Sequence, residues 1–441
     1  MSLANRLASQ STIIFGGRLF GAGLIFLVQA FIARFWGAAI LGEYLLIIAS
    51  VNLIAVAMPL GFQTVGTYFA AEYRARGDKR QLVAFLERAY GHVALAFVVV
   101  ALGGPVLLGL IGQGESTIAA HFLPVALLAL ATALVYVSGG VLVGLKRPFA
   151  GFFADGIFRP MVVMVTFLVC AMAFEQPVDG FSAMLWVIAI GYVVIAAVHL
   201  GIVVNTVRRI DDGAPLRDSE WPRWWRFAAP WVLITLATDF FFDIDLLLLS
   251  NLLNKEELAI FGVCTRIFSL VAFGVAAVYA VTLPDMFESE AQDDRAAFHR
   301  KVGEANVVAT MVSLGLLVLV MIGGPFALLL FGEGFTQGAV PLAILCLALV
   351  VRSAMGPASM VLSIHDRPWA SLPAVILGMG TLVAGNFVLV PAFHLVGAAV
   401  AALIGITIWS VALWGIALRT AKIDVSILQW FRSRRIGVAT G

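Results

Sequence analysis

The chain has 441 residues, 61% hydrophobic and only 12% charged, with a formal net charge of +2. A soluble globular chain carries about 25% charged residues, so the composition points away from a water-soluble enzyme and towards the membrane. Cys170, Cys264 and Cys346 lie far apart inside apolar stretches; they read as small apolar fillers, not as a metal or redox motif.

About 20 consecutive apolar residues cross a bilayer core of ~30 Å. Twelve such stretches are predicted, at roughly 12–34, 38–61, 90–112, 120–143, 150–173, 182–204, 228–250, 258–283, 304–331, 340–363, 370–391 and 395–418. The first is too long for a signal-peptide core and no small-residue cleavage site follows it, so it is read as a retained helix. Six stretches fall on each side of a polar segment near 205–226. The predicted organisation is an N-terminal six-helix lobe at 1–205, a cytoplasmic linker at 206–227, a C-terminal six-helix lobe at 228–418 and a basic cytoplasmic tail at 419–441.

The two halves are copies. Gly103-Gly104-Pro105 recurs as Gly323-Gly324-Pro325, Arg147-Pro148 as Arg367-Pro368, and Gly42 as Gly262, all at one offset of 220 residues. A fixed internal period defines the whole architecture. The expected fold is an all-α integral membrane protein of about twelve transmembrane helices, arranged as two homologous six-helix bundles around a central cavity. Duplicated bundles of this kind suit transport by rocking one half against the other.

Lys and Arg mark the cytoplasmic side. With the N-terminus inside, the cytoplasmic segments hold nearly all of them, including Arg74, Arg76, Lys79 and Arg80, the group from Arg208 to Arg226, and Arg432, Arg434 and Arg435. The outer segments hold only Arg34 and Lys255. Both termini are therefore expected in the cytoplasm. The tail from Ile423 to Arg435 reads either as an interfacial helix on anionic lipid or as a frayed end.

No phosphate-binding Gly-x-x-x-x-Gly-Lys-Ser/Thr loop, no His-Glu-x-x-His pair and no nucleophile elbow occurs. The basic residues sit in topological loops and form no nucleic-acid-binding face. No catalytic residue, metal ligand or cofactor is expected, and the chain does not read as an enzyme.

The intramembrane charges carry the functional information, because ionisable groups at membrane depth are costly and normally face a bundle interior or a wet cavity. Four are basic: Arg18, Arg159, Arg266 and Arg352. Four are acidic: Asp155, Asp239, Asp243 and Asp245. The arginines offer positive charge at several depths, as an anion's path requires, and a guanidinium fork grips phosphate oxygens two at a time. Asp155 and Arg159 are also spaced to pair along one helix face. Asp239 and Asp243 share a helical face, with Asp245 pointing elsewhere. These acids either balance Arg266 and Arg352 or bind a coupling proton or sodium ion. Arg34, at the outer end of the first helix, reads as an interfacial anchor. Gly17 and Gly21 are spaced for close helix packing. Asn52 and Asn386 either line a cavity or bridge neighbouring helices.

The run Ala33-Arg34-Phe35-Trp36-Gly37, followed by Leu41-Gly42-Glu43-Tyr44, resembles the junction of the first two helices in polysaccharide flippases. Leu60-Gly61-Phe62 and the charged stretch from Ala71-Glu72-Tyr73 to Asp78 continue that pattern. The chain thus resembles the oligosaccharide flippase branch of the multidrug/oligosaccharidyl-lipid/polysaccharide (MOP) superfamily over nearly its whole length; the pattern usually reads Leu-Gly where this chain has Trp36-Gly37. The resemblance implies helices 1 and 7 as equivalent gates. It implies passage of an undecaprenyl-pyrophosphate-linked oligosaccharide from the cytoplasmic to the outer leaflet of a bacterial inner membrane, for lipopolysaccharide O-antigen, capsule or exopolysaccharide. It also implies a polysaccharide polymerase and glycosyltransferases as partners. An inside-negative potential favours outward passage of an anionic pyrophosphate by ~2.3 kcal/mol per charge per 100 mV. The nearest alternative is a cation-coupled multidrug exporter of the same superfamily, though organic cations want acids and aromatics more than arginines. A membrane polymerase or acyltransferase is a more distant one, since no large outer loop or clustered catalytic His is present.

Overall fold

The structure is a computed structural model that describes residues 3–210, 220–291, 295–364, 368–420 and 422–430. Among the described residues there are helices and no strand. Ten helices among the described residues are long and apolar enough to cross a membrane. The predicted seventh stretch is broken into two shorter helices, and the predicted eleventh and twelfth run together as Leu372–Thr420 across a kink at His394 (φ 47°, ψ −126°), so the twelve predicted stretches are all accounted for. Arg367, one landmark of the repeat, and the tail beyond residue 430 lie outside the described residues.

In chain order the first half comprises α1 (Leu3–Phe31), a π-helical turn (Ile32–Trp36), α2 (Ala38–Ala57), α3 (Phe62–Arg76), α4 (Lys79–Leu110), a short α5 (Thr117–Ala120) and α6 (Phe122–Gly144). Then follow α7 (Pro148–Phe153), a second π-helical turn (Ala154–Phe158), α8 (Arg159–Ala173) and α9 (Pro177–Arg208). The seventh stretch is α10 (Trp221–Asp239) and α11 (Phe241–Leu249). The second half continues as α12 (Lys255–Ala291), α13 (Arg295–Leu329), α14 (Ala339–Met355), α15 (Ala358–Ile364) and α16 (Leu372–Thr420).

Backbone contacts divide the chain into two compact units, Met1–Ile244 and Asp245–Gly441. α10 packs on α2 and α3, so the first part of the seventh stretch belongs to the first unit. The repeat is carried into packing. A side chain on Gly104 would strike the Phe122 ring, and one on Gly324 would stand 3.2 Å from Leu342; Phe122 and Leu342 are themselves 220 residues apart. Each Gly-Gly-Pro thus lets its helix lie close to the start of the next spanning helix.

The segment between the second and third spans is helical where a charged loop was expected. α3 ends on Gly77 in the left-handed region (φ 65°). Asp78 then caps α4, its carboxylate accepting the Gln81 N–H at 3.1 Å, which is the usual way to satisfy a free helix N-terminus. At the other end of the chain, residues 423–427 are not helical, and Ile423, Asp424, Val425 and Ser426 are buried. This corrects both readings of the tail over residues 423–427. Alternating apolar and polar residues here serve an extended strap: the Asp424 carboxylate accepts Trp414 Nε1–H at 2.9 Å and the Ser426 hydroxyl at 2.7 Å. Asn306 Nδ2 donates to the Val425 carbonyl, and the Ile427 N–H donates to the Ala354 carbonyl at 2.8 Å.

Candidate functional site

In the first unit the candidate groups gather where α1 meets the π-helical turn of residues 154–158. Such turns widen a helix by one residue and recur at functional positions. Gly21 lies against the Gly156 carbonyl, and a side chain on Gly17 would stand 3.0 Å from Ile157 Cδ1, so the expected close packing at both glycines is present. It places Arg18 beside this turn, exposed, with its guanidinium 4.4 Å from the Phe152 ring centroid.

Arg159 is held differently. Only 6% of it is exposed. One guanidinium nitrogen pairs with Asp155, whose own side chain is 53% exposed. Another donates to Thr132 Oγ1 at 2.7 Å, and the cation lies 4.2 Å from the Tyr192 ring centroid. The i,i+4 pairing is therefore realised, and the charge is enclosed by its own bundle. Thr132 and Tyr192 carried no signal in the sequence as partners of Arg159.

Asp239 and Asp243 do not share a face. Phe240 leaves the helical region (φ −117°, ψ 22°), so the two acids sit on separate helices and the i,i+4 argument no longer applies. Asp239 is exposed and accepts from Thr238 Oγ1 at 3.0 Å. Asp243 is buried and accepts from Asn52 Nδ2 at 3.2 Å.

In the second unit Asp245 and Asn386 are each fully buried, with Asn386 Nδ2 donating to Asp245 Oδ1 at 2.6 Å. Asp245 Oδ2 and Asn386 Oδ1 have no hydrogen-bond partner. Both asparagines thus bridge helices to an acid. Arg352 is exposed near the end of α14, 5.8 Å from the Trp409 ring centroid, and Arg266 on α12 is half-buried. Among the described residues no three His, Cys, Asp or Glu side chains are grouped to hold a metal ion.

A second cluster, to which the sequence reading assigned no role, joins α3 to the start of α10. Arg223 grips both Glu72 oxygens, at 3.0 and 2.8 Å, and reaches Glu220 at 2.6 Å. Arg76 pairs with Glu72 at 2.6 Å. The Tyr73 hydroxyl accepts from Trp224 Nε1 at 2.6 Å and donates to Glu220 at 2.8 Å. Burial alone would raise the Glu220 carboxyl, but the Tyr73 hydroxyl, Arg223 and Arg76 outweigh it and hold it below its ordinary value. Burial pushes the Tyr73 phenol up. A depressed carboxyl stabilises the folded form above its unfolded value, near 4.5, and that contribution is lost as the pH falls through the folded value. Thermal unfolding in detergent at pH 7 and pH 4 should therefore show a smaller acid-induced drop in Glu220→Gln than in the wild type; equal drops would contradict this role.

No family model matches the chain, and no curated protein matches it in sequence. Solved structures do match. An inward-facing multidrug resistance MATE family transporter of the MOP superfamily is similar with a TM-score of 0.73 at 16% identity, over 91% of this chain and 95% of that one. The lipid II flippase MurJ in an inward closed conformation gives 0.70 at 11% identity, over 96% and 90%. A MATE transporter of Vibrio cholerae gives 0.62 at 18% identity, over 94% and 98%. The fold of this chain is thus the multi-pass, all-α membrane fold of MATE transporters and of the flippase MurJ.

Proposed function

We propose that this chain is a flippase that moves a polyprenyl-pyrophosphate-linked oligosaccharide from the cytoplasmic to the outer leaflet by alternating access. The observation that carries this reading is Arg18, an arginine at membrane depth that is exposed. Arginine there is costly without an anionic partner to meet, and a pyrophosphate suits its forked donors. Arg266 adds charge on α12, while Arg159 holds the frame on which Arg18 rests. The two lobes follow the repeat, 1–205 and 228–418, with α10 packed on the first unit; both termini are cytoplasmic, and the membrane is the bacterial inner membrane. No covalent chemistry is required of the protein. A polysaccharide polymerase and glycosyltransferases are the natural partners, since they consume and supply such a cargo.

Coupling to a proton or sodium ion is assigned to Asp245. A buried carboxylate with one open oxygen beside an open amide oxygen supplies oxygen ligands without a balancing arginine in its hydrogen-bond set, and a lone buried charge is expensive. Asp245→Asn should leave the protein folded and remove the response of transport to an imposed ion gradient; an unchanged response would clear Asp245 of that role.

A cation-coupled multidrug exporter is the second reading. It is favoured by the exposed carboxylates Asp155 and Asp239, which suit an organic cation, and by the MATE transporters among the similar folds. Mass spectrometry of polyprenyl-linked sugars in a strain lacking the protein separates the two. Accumulation of a lipid-pyrophosphate oligosaccharide, with surface polymer lost, supports the flippase. An unchanged lipid pool with intact polymer and lost dye efflux supports the exporter.

A further inference from the structure

Two exposed charges of opposite sign, Arg18 and Asp155, meet at the π-helical turn of residues 154–158. A side chain on Gly156 would stand 3.6 Å from Arg18 Cγ, so the Arg18 stem runs across the residue next to Asp155. From there its guanidinium reaches over the Phe152 ring, three residues nearer the start of α7. That start is the cytoplasmic end in the proposed orientation. The positive charge therefore lies about one helical turn on the cytoplasmic side of the carboxylate.

Asp155 is presented in an unusual way. Arg159 holds its Oδ1, and among the described residues no other group bonds to the carboxylate. The Asp155 side chain is 53% exposed and that of Arg159 only 7%. Arg159 is closed in by Thr132 and Tyr192, so a cargo cannot reach it. What the pair offers to the outside is Asp155, fixed in one orientation with Oδ2 uncommitted. The pair is neutral as a whole and needs no coupling ion to balance it, unlike Asp245. Yet its negative end alone faces the path of an anion. Such a group repels the wrong cargo and holds a cargo that brings hydrogen-bond donors.

We propose that Asp155 reads the sugar nearest the pyrophosphate: its uncommitted oxygen accepts hydrogen bonds from hydroxyl or amide groups of a neutral sugar and turns away an acidic one. The assignment rests on the flippase reading and names the class of saccharide that the Arg18 site admits. In the proposed cargo the first sugar is bonded directly to the second phosphate. With the phosphates on Arg18, at the level of Phe152, that sugar comes level with Asp155. Its hydroxyl groups then make charge-assisted hydrogen bonds, which are stronger than bonds between neutral partners. A uronic acid in the same place sets one carboxylate against another, in surroundings that screen less than water. A site that hydrogen-bonds its substrate also discriminates more sharply than an apolar pocket of the same shape.

The test uses the purified full-length protein in proteoliposomes and three polyprenyl-pyrophosphate lipids, one bearing glucose, one bearing glucuronic acid and one without sugar. The two sugars differ only in the carboxylate. The readout is the ratio of the glucose-lipid rate to the glucuronate-lipid rate, which a loss of folded protein would leave unaltered. The wild type should move the glucose lipid at least about tenfold faster, the factor that about 1.4 kcal/mol of discrimination produces. Asp155→Asn can keep its carbonyl on Arg159 and present an amide N–H instead, so the ratio should fall towards one. Asp155→Glu, which keeps the charge, should retain the preference for glucose. Equal rates for the two sugar lipids in the wild type, or an unchanged ratio in Asp155→Asn, would overturn the assignment while leaving the flippase reading intact. If the wild type moves none of the three lipids, the flippase reading itself fails and the assignment falls with it.

Discussion

Gly61→Ala is expected to lower the thermal stability of the detergent-solubilised protein by several degrees, more than any surface substitution. Two costs add. Gly61 has a positive φ of 86°, a region that costs a residue with a side chain about 1–2 kcal/mol. A methyl group there would also meet the Ala228 backbone carbonyl. A carbonyl cannot rotate away as a side chain can, so α10 itself must shift, at a further ~1–3 kcal/mol typical of overpacking. The check is the unfolding midpoint of Gly61→Ala against Gly66→Ala. Gly66 sits on the same helix with its nearest neighbour atom at 3.4 Å, on a Val141 side chain that has more freedom to adjust. Equal midpoints would show that α10 does not lean on Gly61.

The second large effect separates two arginines that look alike in the sequence. Arg159→Ala should destabilise the first unit by about 2–4 kcal/mol, because a buried guanidinium with charge-assisted hydrogen bonds and an aromatic face is lost. The half-exposed Asp155 keeps the cost below that of breaking a fully buried pair. Arg18→Ala should leave the unfolding midpoint nearly unchanged, since exposed substitutions usually stay within about 0.5 kcal/mol, and should abolish lipid-linked oligosaccharide flux at equal membrane abundance. Arg18→Lys should recover only part of it, because a point charge cannot reproduce the fork. Wild-type flux in Arg18→Ala would remove the main support for a cationic path. A stable Arg159→Ala would return Arg159 to the candidate binding residues on equal terms with Arg18.

The asparagines illustrate how far local pattern reaches. Asn52 and Asn386 stand out in apolar helices, yet nothing nearby in the chain says whether such an amide faces water or a partner. Their partners, Asp243 and Asp245, are 191 and 141 residues away. Two acids two residues apart thus bond within different units, a division that the spacing alone does not contain. The tail shows the opposite failure. Its alternation suggested an interfacial helix, and burial against Asn306 and Trp414 overrode that preference.

The sequence by itself determined the membrane environment, the twelve apolar stretches and the duplication. Bilayer thickness acts on every consecutive run of about 20 residues, and a repeat at fixed offset is visible in one dimension. It also singled out the eight candidate charges, because such residues are conspicuous against an apolar background. Only the tertiary structure decided which charges are enclosed by their own bundle and which remain presented. Arg159 is enclosed by Asp155, Thr132 and Tyr192, while Arg18 stays exposed. It also decided that α10 docks on α3, through Glu72 and Arg223, 151 residues apart. Hydrogen bonds and ion pairs act over a few ångströms of space, and folding brings together groups whose separation along the chain carries no trace of that proximity.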